Sequence, residues 1–286
     1  MAAGAPRRIP EAGLFEPGSI SWRVDREAVV LAGGTCALLM QIAHPAVAAG
    51  VDAHSDFRAD PFARLRRTLG ASWAIVFGDR EAAERAIRRI NAVHELVRGV
   101  VSETGQAYRA LDPELLLWVH ATLVDTALRM HDRFVAPLST EQMDEYHLEA
   151  AEVAVRLGVP EAMLPPTCAG LRTWMESIIS GGEVRVGPTA RSLLPFILYP
   201  TRLPPRWLWD AAHLASVSVL DPRIRRQYGL PWSRRRARGV DRLAAASRRI
   251  VPLLPAGVRH VPASRAAPTI MGAHRRQLPA ERRLEP

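Results

Sequence analysis

Apolar residues recur at helical spacing over most of the chain, and no long alternating run of the kind a half-buried strand needs interrupts them. Residues 29–51 are largely apolar and superficially resemble a membrane span, but they contain Gln41, His44, Pro45 and the Gly33-Gly34 pair. A buried helix over 25–43 accounts for them better, with Pro45 opening the next segment. Asp60-Pro61 is a cap followed by a proline suited to a first helical turn, and predicts a helix to Phe77. Gly78 ends it and Asp79 caps another over 79–99, on which Ile87, Ile90, His94, Val97 and Val101 form one face. Asp112-Pro113 opens the clearest apolar helix, 112–133, and Ser139 with Gln142 has the spacing of a capping box for 139–157. Residues 171–179, 207–219 and 240–250 are helical in pattern. Gly181-Gly182 ends the first of these, and 183–186 has the look of a short strand.

These elements predict an all-α fold, one multi-helix domain over residues 21–255 that encloses an apolar pocket. A flexible Gly/Pro/Ala-rich arm (1–20) precedes it and a loosely ordered tail (256–286) follows, both expected to add little to the core. A chain of 286 residues that is 48% hydrophobic is ample for such a core.

Charge changes the picture in one respect. Lys+Arg total 38 against 29 Asp+Glu, for a net charge of +9, and every one of the basic residues is arginine. That bias reads as compositional, yet it suits anionic partners. No zinc-finger spacing, phosphate loop or basic stripe interleaved with aromatics accompanies it, so specific nucleic-acid recognition is not expected. Peripheral membrane contact, through 29–51 and the arginine runs, remains open. Two cysteines, Cys36 and Cys168, cannot build a disulfide framework, and the first residues lack an apolar signal segment, which makes the cytoplasm the expected location.

Candidate chemistry centres on histidine and arginine. His44, His94 and His120 lie in apolar patterns, with His54 close by. A satisfied core histidine is the plain reading of any one of them. Imidazole is also the usual protein ligand of haem iron and of zinc, and no His-Glu-x-x-His or His-x-x-x-His spacing favours zinc. Arg64, Arg67 and Thr68 share one helical face, while Arg66 points elsewhere. That face suits a haem propionate, a carboxylate or plain solvent. The run at 234–238, with four arginines, reads as a solvated face or loop.

Four stretches resemble one bacterial and fungal family: Leu39-Met-Gln-Ile-Ala-His-Pro-Ala-Val-Ala-Ala-Gly-Val51, Asp60-Pro-Phe-Ala-Arg-Leu-Arg-Arg-Thr68, Val76-Phe-Gly-Asp79 and Trp118-Val-His-Ala-Thr-Leu123. The family is that of the MpaB oxygenase and the rubber oxygenase (latex-clearing protein) catalytic domain. The resemblance spans about residues 20–250. It implies a helical domain holding haem b that uses dioxygen to cleave carbon-carbon double bonds of an apolar, isoprenoid or otherwise unsaturated small molecule. It places the axial histidine on His94, within Asn-Ala-Val-His-Glu-Leu-Val-Arg98, the family's arginine on Arg64 and its threonine on Thr68. His120, His44 and Arg98 complete the candidate cofactor-binding set. The distal lysine of the rubber oxygenases falls on Arg67, which stays protonated and is a poor iron ligand. Their catalytic glutamate has no secure match. Two other readings stay open: a haem-binding protein without turnover, and a haem-free hydrolase or dehydratase built on His120 and Asp125.

Overall fold

The computed structural model describes residues 13–55, 60–201 and 205–265, apart from the side chains of residues 61–64. The architecture is all-α, and the sheet content of the described residues is one short hairpin. A short helix α1 (Ile20–Asp25) leads through a 3-10 turn (Ala28–Gly33) into α2 (Gly34–Ala43) and α3 (Pro45–His54). The helix expected over 25–43 is therefore broken at its glycine pair. The reason is packing: a Cβ on Gly33 would lie 2.7 Å from the side chains of both Met130 and Thr126, so only glycine lets this turn meet the next long helix.

The α2/α3 junction has an equally local cause. Pro45 has no N–H to give the Gln41 carbonyl four residues back. The Trp118 indole supplies it instead, at 3.3 Å, and ties this break to α6 (Pro113–Phe134). Together α2 and α3 bend by 107°, and no single described helix is long and apolar enough to cross a membrane. Leu39, Ile42 and Ala43 are fully buried in the main core, which answers the apolarity of 29–51 without a bilayer.

Helix α6 is the centre of that core. Leu117, Trp118, Leu128, Met130 and Phe134 on it are almost completely buried, and α2, α7 (Thr140–Arg156), α8 (Cys168–Ser180), α10 (Arg206–Val219) and α12 (Arg234–Ile250) pack around it. The predicted caps hold: Asp112 accepts from the Glu114 N–H, and Ser139 and Gln142 satisfy each other's backbone in a capping box. Helices α9 (Pro188–Leu198), α11 (Pro222–Gln227) and α13 (Ala256–Arg259) complete the order.

Helices α4 (Pro61–Phe77) and α5 (Arg80–Leu96) form a hairpin joined by Gly78 and Asp79. The helix expected over 79–99 stops at Leu96, and Val97 and Val101 leave its face. Residues Arg98–Val100 (β1) pair antiparallel with Ala107–Arg109 (β2), Gly99 standing opposite Tyr108. A Cβ on Gly99 would sit 2.8 Å from the Tyr108 hydroxyl, so the close approach of that ring decides where the helix gives way.

Three other expectations are corrected. The arginine run is not a loop: Ser233 caps α12, which begins at Arg234 rather than near 240. Residues 183–186 form no strand. The described parts of both flanking segments are packed in small clusters: Leu14 and Phe15 are buried against Ile75, Ala83 and Ile87, and Val261 is buried against Trp22 and Phe77. Buried Glu27 is clamped by Arg259 in two bonds of 2.8 Å, with His260 at 3.6 Å. Those contacts seat the segment after residue 255. The remainder of the arm and tail lies outside the described residues.

Candidate functional site

His94 stands one turn from the end of α5. The helix starts well: Asp79 accepts from the Ala82 N–H at 2.7 Å, and Arg80, Arg85 and Arg88 each meet a glutamate four residues away. Only Ala83 and Ile87 on it are buried. Its last two turns lose the core, and Val93 and Leu96 are 54% and 75% exposed. Between them His94 is half-buried, with its Nδ1 shut off from solvent and lacking any hydrogen-bond partner. Burial holds its imidazole below the usual range, so it is neutral at physiological pH. An unpartnered, desolvated ring nitrogen beside exposed apolar side chains is costly for stability alone.

The α4/α5 hairpin brings the start of α4 alongside the end of α5. Leu65, Arg66, Arg67 and Thr68 are exposed there, at the same end of the hairpin as His94. Arg64 is on α4, but its side chain lies outside the described ones. No hydrogen bond joins Arg67 or Thr68 to His94. Arg98 follows on β1 with an exposed side chain, and its carbonyl meets His54 Nε2 at 3.0 Å. The hairpin thus carries Arg67 and Thr68 near the start of α4 and His94 in the last turn of α5, with Arg98 just beyond it.

It does not gather the other two histidines. His44 is used as a cap, its Nδ1 accepting from the Ala46 N–H at 3.2 Å at the start of α3. His120 belongs to the interior of α6. Its Nε2 is inaccessible and unpartnered, and burial, helped by nearby His147, pushes its pKa down to about 4. His147 on α7, which sequence reasoning missed, is fully buried and donates from Nε2 to the Pro165 carbonyl at 2.7 Å, so its own Nδ1 is a bare lone pair. The only sequence signal for it was its place on the apolar face of a capped helix.

The reading built on a His120–Asp125 pair fails. Asp125 is held by Arg129 at 2.6 Å and by Arg172 at 2.7 Å, and no bond joins it to His120. Those groups open instead into a small cleft, about 430 Å³ including its mouth, lined by Cys36, Thr122, Asp125, Arg172, Glu176 and Asp221 among others. The cleft is more polar than apolar and touches none of the predicted site residues. An enclosed apolar pocket around His94 is likewise not formed among the described residues. The apolar side chains there line an open wall.

Among the described residues no group of three or more His, Cys, Asp or Glu side chains is placed to hold a metal ion. What the site offers is one neutral imidazole with apolar and cationic neighbours. That donor set suits a cofactor that brings most of its own ligands. A porphyrin does, needing one axial side chain, surface to cover its faces and cations for its propionates. The residues present fit such a group.

An all-α domain with a neutral, partly buried histidine in the last turn of a hairpin helix is the class that fold and site define. The chain belongs to the family described as ER-bound oxygenase mpaB/B'/rubber oxygenase, catalytic domain, whose model matches residues 22–249. Membership assigns it oxygenase-type, oxidoreductase chemistry in general and implies haem b as the cofactor. An uncharacterized protein of Mycobacterium tuberculosis and one of Mycobacterium bovis are each 28% identical to it over 229 residues, covering 76% of this chain and 87% of theirs. No solved structure matches.

Proposed function

We propose that this protein is a haem b-dependent oxygenase that uses dioxygen on an apolar, unsaturated small molecule, with His94 as the axial ligand. The observation that carries the reading is the His94 ring: buried enough to be neutral, unpartnered at Nδ1, and set in a wall of exposed apolar residues. Family membership supplies the cofactor class.

In this reading His94 presents a lone pair that no proton occupies at neutral pH. Leu65, Val93 and Leu96 cover the faces of a flat apolar group and exclude water from it. Arg67 and Arg98 would supply cations for its carboxylates, and Thr68 a hydroxyl for a polar group. Arg67, as a guanidinium, would be a poor iron ligand and would serve the group as a cation instead. When bound, the haem supplies an iron centre at which dioxygen is activated. An apolar substrate would be drawn to the same region by the exposed side chains of Leu65, Val93 and Leu96. Isoprenoid chains fit that description.

The test is spectroscopic. Protein purified from a haem-replete host is expected to carry about one non-covalent haem per chain, and His94→Ala to lose it. Arg67→Ala should retain haem and alter its ligand-binding spectrum. A colourless protein that does not bind added hemin would overturn the reading. Haem lost in His120→Ala but kept in His94→Ala would move the ligand to α6.

A further inference from the structure

Helix α12 has a fixed inner edge and an outer row of arginines. Its inner edge is fixed: Val240 and Ala244 are buried, Ser247 Oγ donates to the Phe134 carbonyl at 2.6 Å, and its one acid, Asp241, is held by Arg133 at 2.8 Å. On the outer side Arg235, Arg238, Arg242 and Arg249 follow one another at spacings of three, four and seven residues, so they form a single row, and all are exposed. Arg235, Arg242 and Arg249 have no carboxylate partner among the described residues. On α5, by contrast, Arg80, Arg85 and Arg88 are each neutralised by a glutamate one turn away.

A second feature lies beside the row. Leu243 and Ile250 each follow an arginine of the row by one position, with Ala246 between them and Gly239 one turn before, on the same stripe. Both are about half exposed, and beyond the helix Leu253 and Val258 are 82% and 67% exposed. Guanidinium groups alone would suit any polyanion. Guanidinium groups flanked by a narrow band of bare leucine, isoleucine and valine suit a surface that is anionic outside and apolar just beneath, which is the headgroup region of a bilayer.

We propose that the outer face of α12, continued by Leu253 and Val258, docks the protein on an anionic lipid bilayer. The arginine row meets the phosphates and Leu243 and Ile250 enter the acyl boundary. The contact lies on the membrane rather than across it, and its strength comes chiefly from charge. Neither haem content nor turnover enters its test.

Full-length protein is sedimented with vesicles of phosphatidylcholine alone or of phosphatidylcholine with phosphatidylglycerol. Binding is expected to the anionic vesicles only, and to fall as salt shortens the screening length. The triple variant R235Q/R242Q/R249Q should bind about a hundredfold more weakly, at about fivefold per arginine. The double variant L243S/I250S should lose about tenfold with all charges kept. These positions point outward, so unchanged thermal unfolding checks that each variant is folded, and the salt series on the wild type stands independently of both. No preference for anionic vesicles would overturn the proposal. So would L243S/I250S binding like wild type, or duplex DNA displacing the vesicles equally well from both proteins, since either outcome marks a plain polyanion surface.

Discussion

Helix α6 encloses Leu117, Trp118, Leu128, Met130 and Phe134 almost completely, whereas α5 buries only Ala83 and Ile87 and leaves Val93 and Leu96 in solvent. Each helix carries a histidine with a ring nitrogen that is buried and unpartnered. On α6 desolvation within the packing, with His147 nearby, holds His120 neutral. On α5 the packing thins before His94, and its neutral ring stands between the exposed Val93 and Leu96. Burial that stabilises a fold and burial that prepares a ligand site therefore look alike along the chain. They separate only when the neighbours on the remaining sides are known.

The most direct way to break this contrast is to remove apolar bulk from each helix. Phe134→Ala is expected to cost about 3–5 kcal/mol, through lost transfer energy and the cavity left behind. Leu96→Ala should change stability by no more than about 0.5 kcal/mol. Denaturant unfolding of the two variants measures both, and similar losses would show that α5 is closed by contacts the exposed positions do not reveal.

Much of α6 was legible because every signal agreed: Asp112 and Pro113 mark its start, and its apolar face runs unbroken to Phe134. The capping box of α7 was readable for the same reason. The break at Gly33-Gly34 was not readable as a break, because its cause is Met130 and Thr126 nearly a hundred residues away. The end of α5 at Leu96 was hidden too, since Val97 and Val101 continue the period while Tyr108, on the partner strand of the hairpin that follows, claims the space over Gly99. The arginine run before Val240 resembled a solvated loop because its charge masked Ser233, whose hydroxyl caps the helix. At the candidate site, the motifs singled out His94, Arg67 and Thr68, which fall on the two helices of one hairpin. The unpartnered state of the His94 ring and the exposure of Leu96 depend on what packs there, and no spacing encodes that.

Titration sharpens the comparison from the α6 side. Burial pushes the Asp25 carboxyl, which accepts from the Tyr146 hydroxyl at 3.0 Å, up to about 7, while it pushes His120 down to about 4. Their ordinary values are 3.8 and 6.5. Between about pH 4 and 6.5 the folded state then holds one more proton than the unfolded chain at Asp25 and one fewer at His120, so their slopes cancel. With His120→Phe, Asp25 is left alone: relative to wild type, stability should fall by about 1.4 kcal/mol per pH unit as pH rises through that window. Asp25→Asn leaves His120 alone, and stability should fall by a similar amount as pH is lowered. Unfolding midpoints across the window test this, and parallel profiles for the two variants would show that these groups are not desolvated as the packing implies.

The smallest effect discriminates most finely between the helices. Asp79 and Asp112 are equivalent N-caps of α5 and α6, and replacing either by alanine should cost about 1 kcal/mol. The consequences for amide exchange differ because the two helices open differently. With only Ala83 and Ile87 buried, α5 can open as a unit, cap included, while the core stays intact, whereas amides in the middle of α6 are released only by global unfolding. Asp79→Ala removes a contact present in the folded state and absent from both kinds of opening, so it should speed exchange about fivefold in α5 and α6 alike. Asp112→Ala should speed α6 by the same factor and leave α5 unchanged, since the α6 cap survives when α5 opens alone. Exchange followed residue by residue in the two variants reads this asymmetry. Acceleration of α5 by Asp112→Ala would mean that α5 opens only with the whole domain, and that His94 is held by the core rather than presented at its edge.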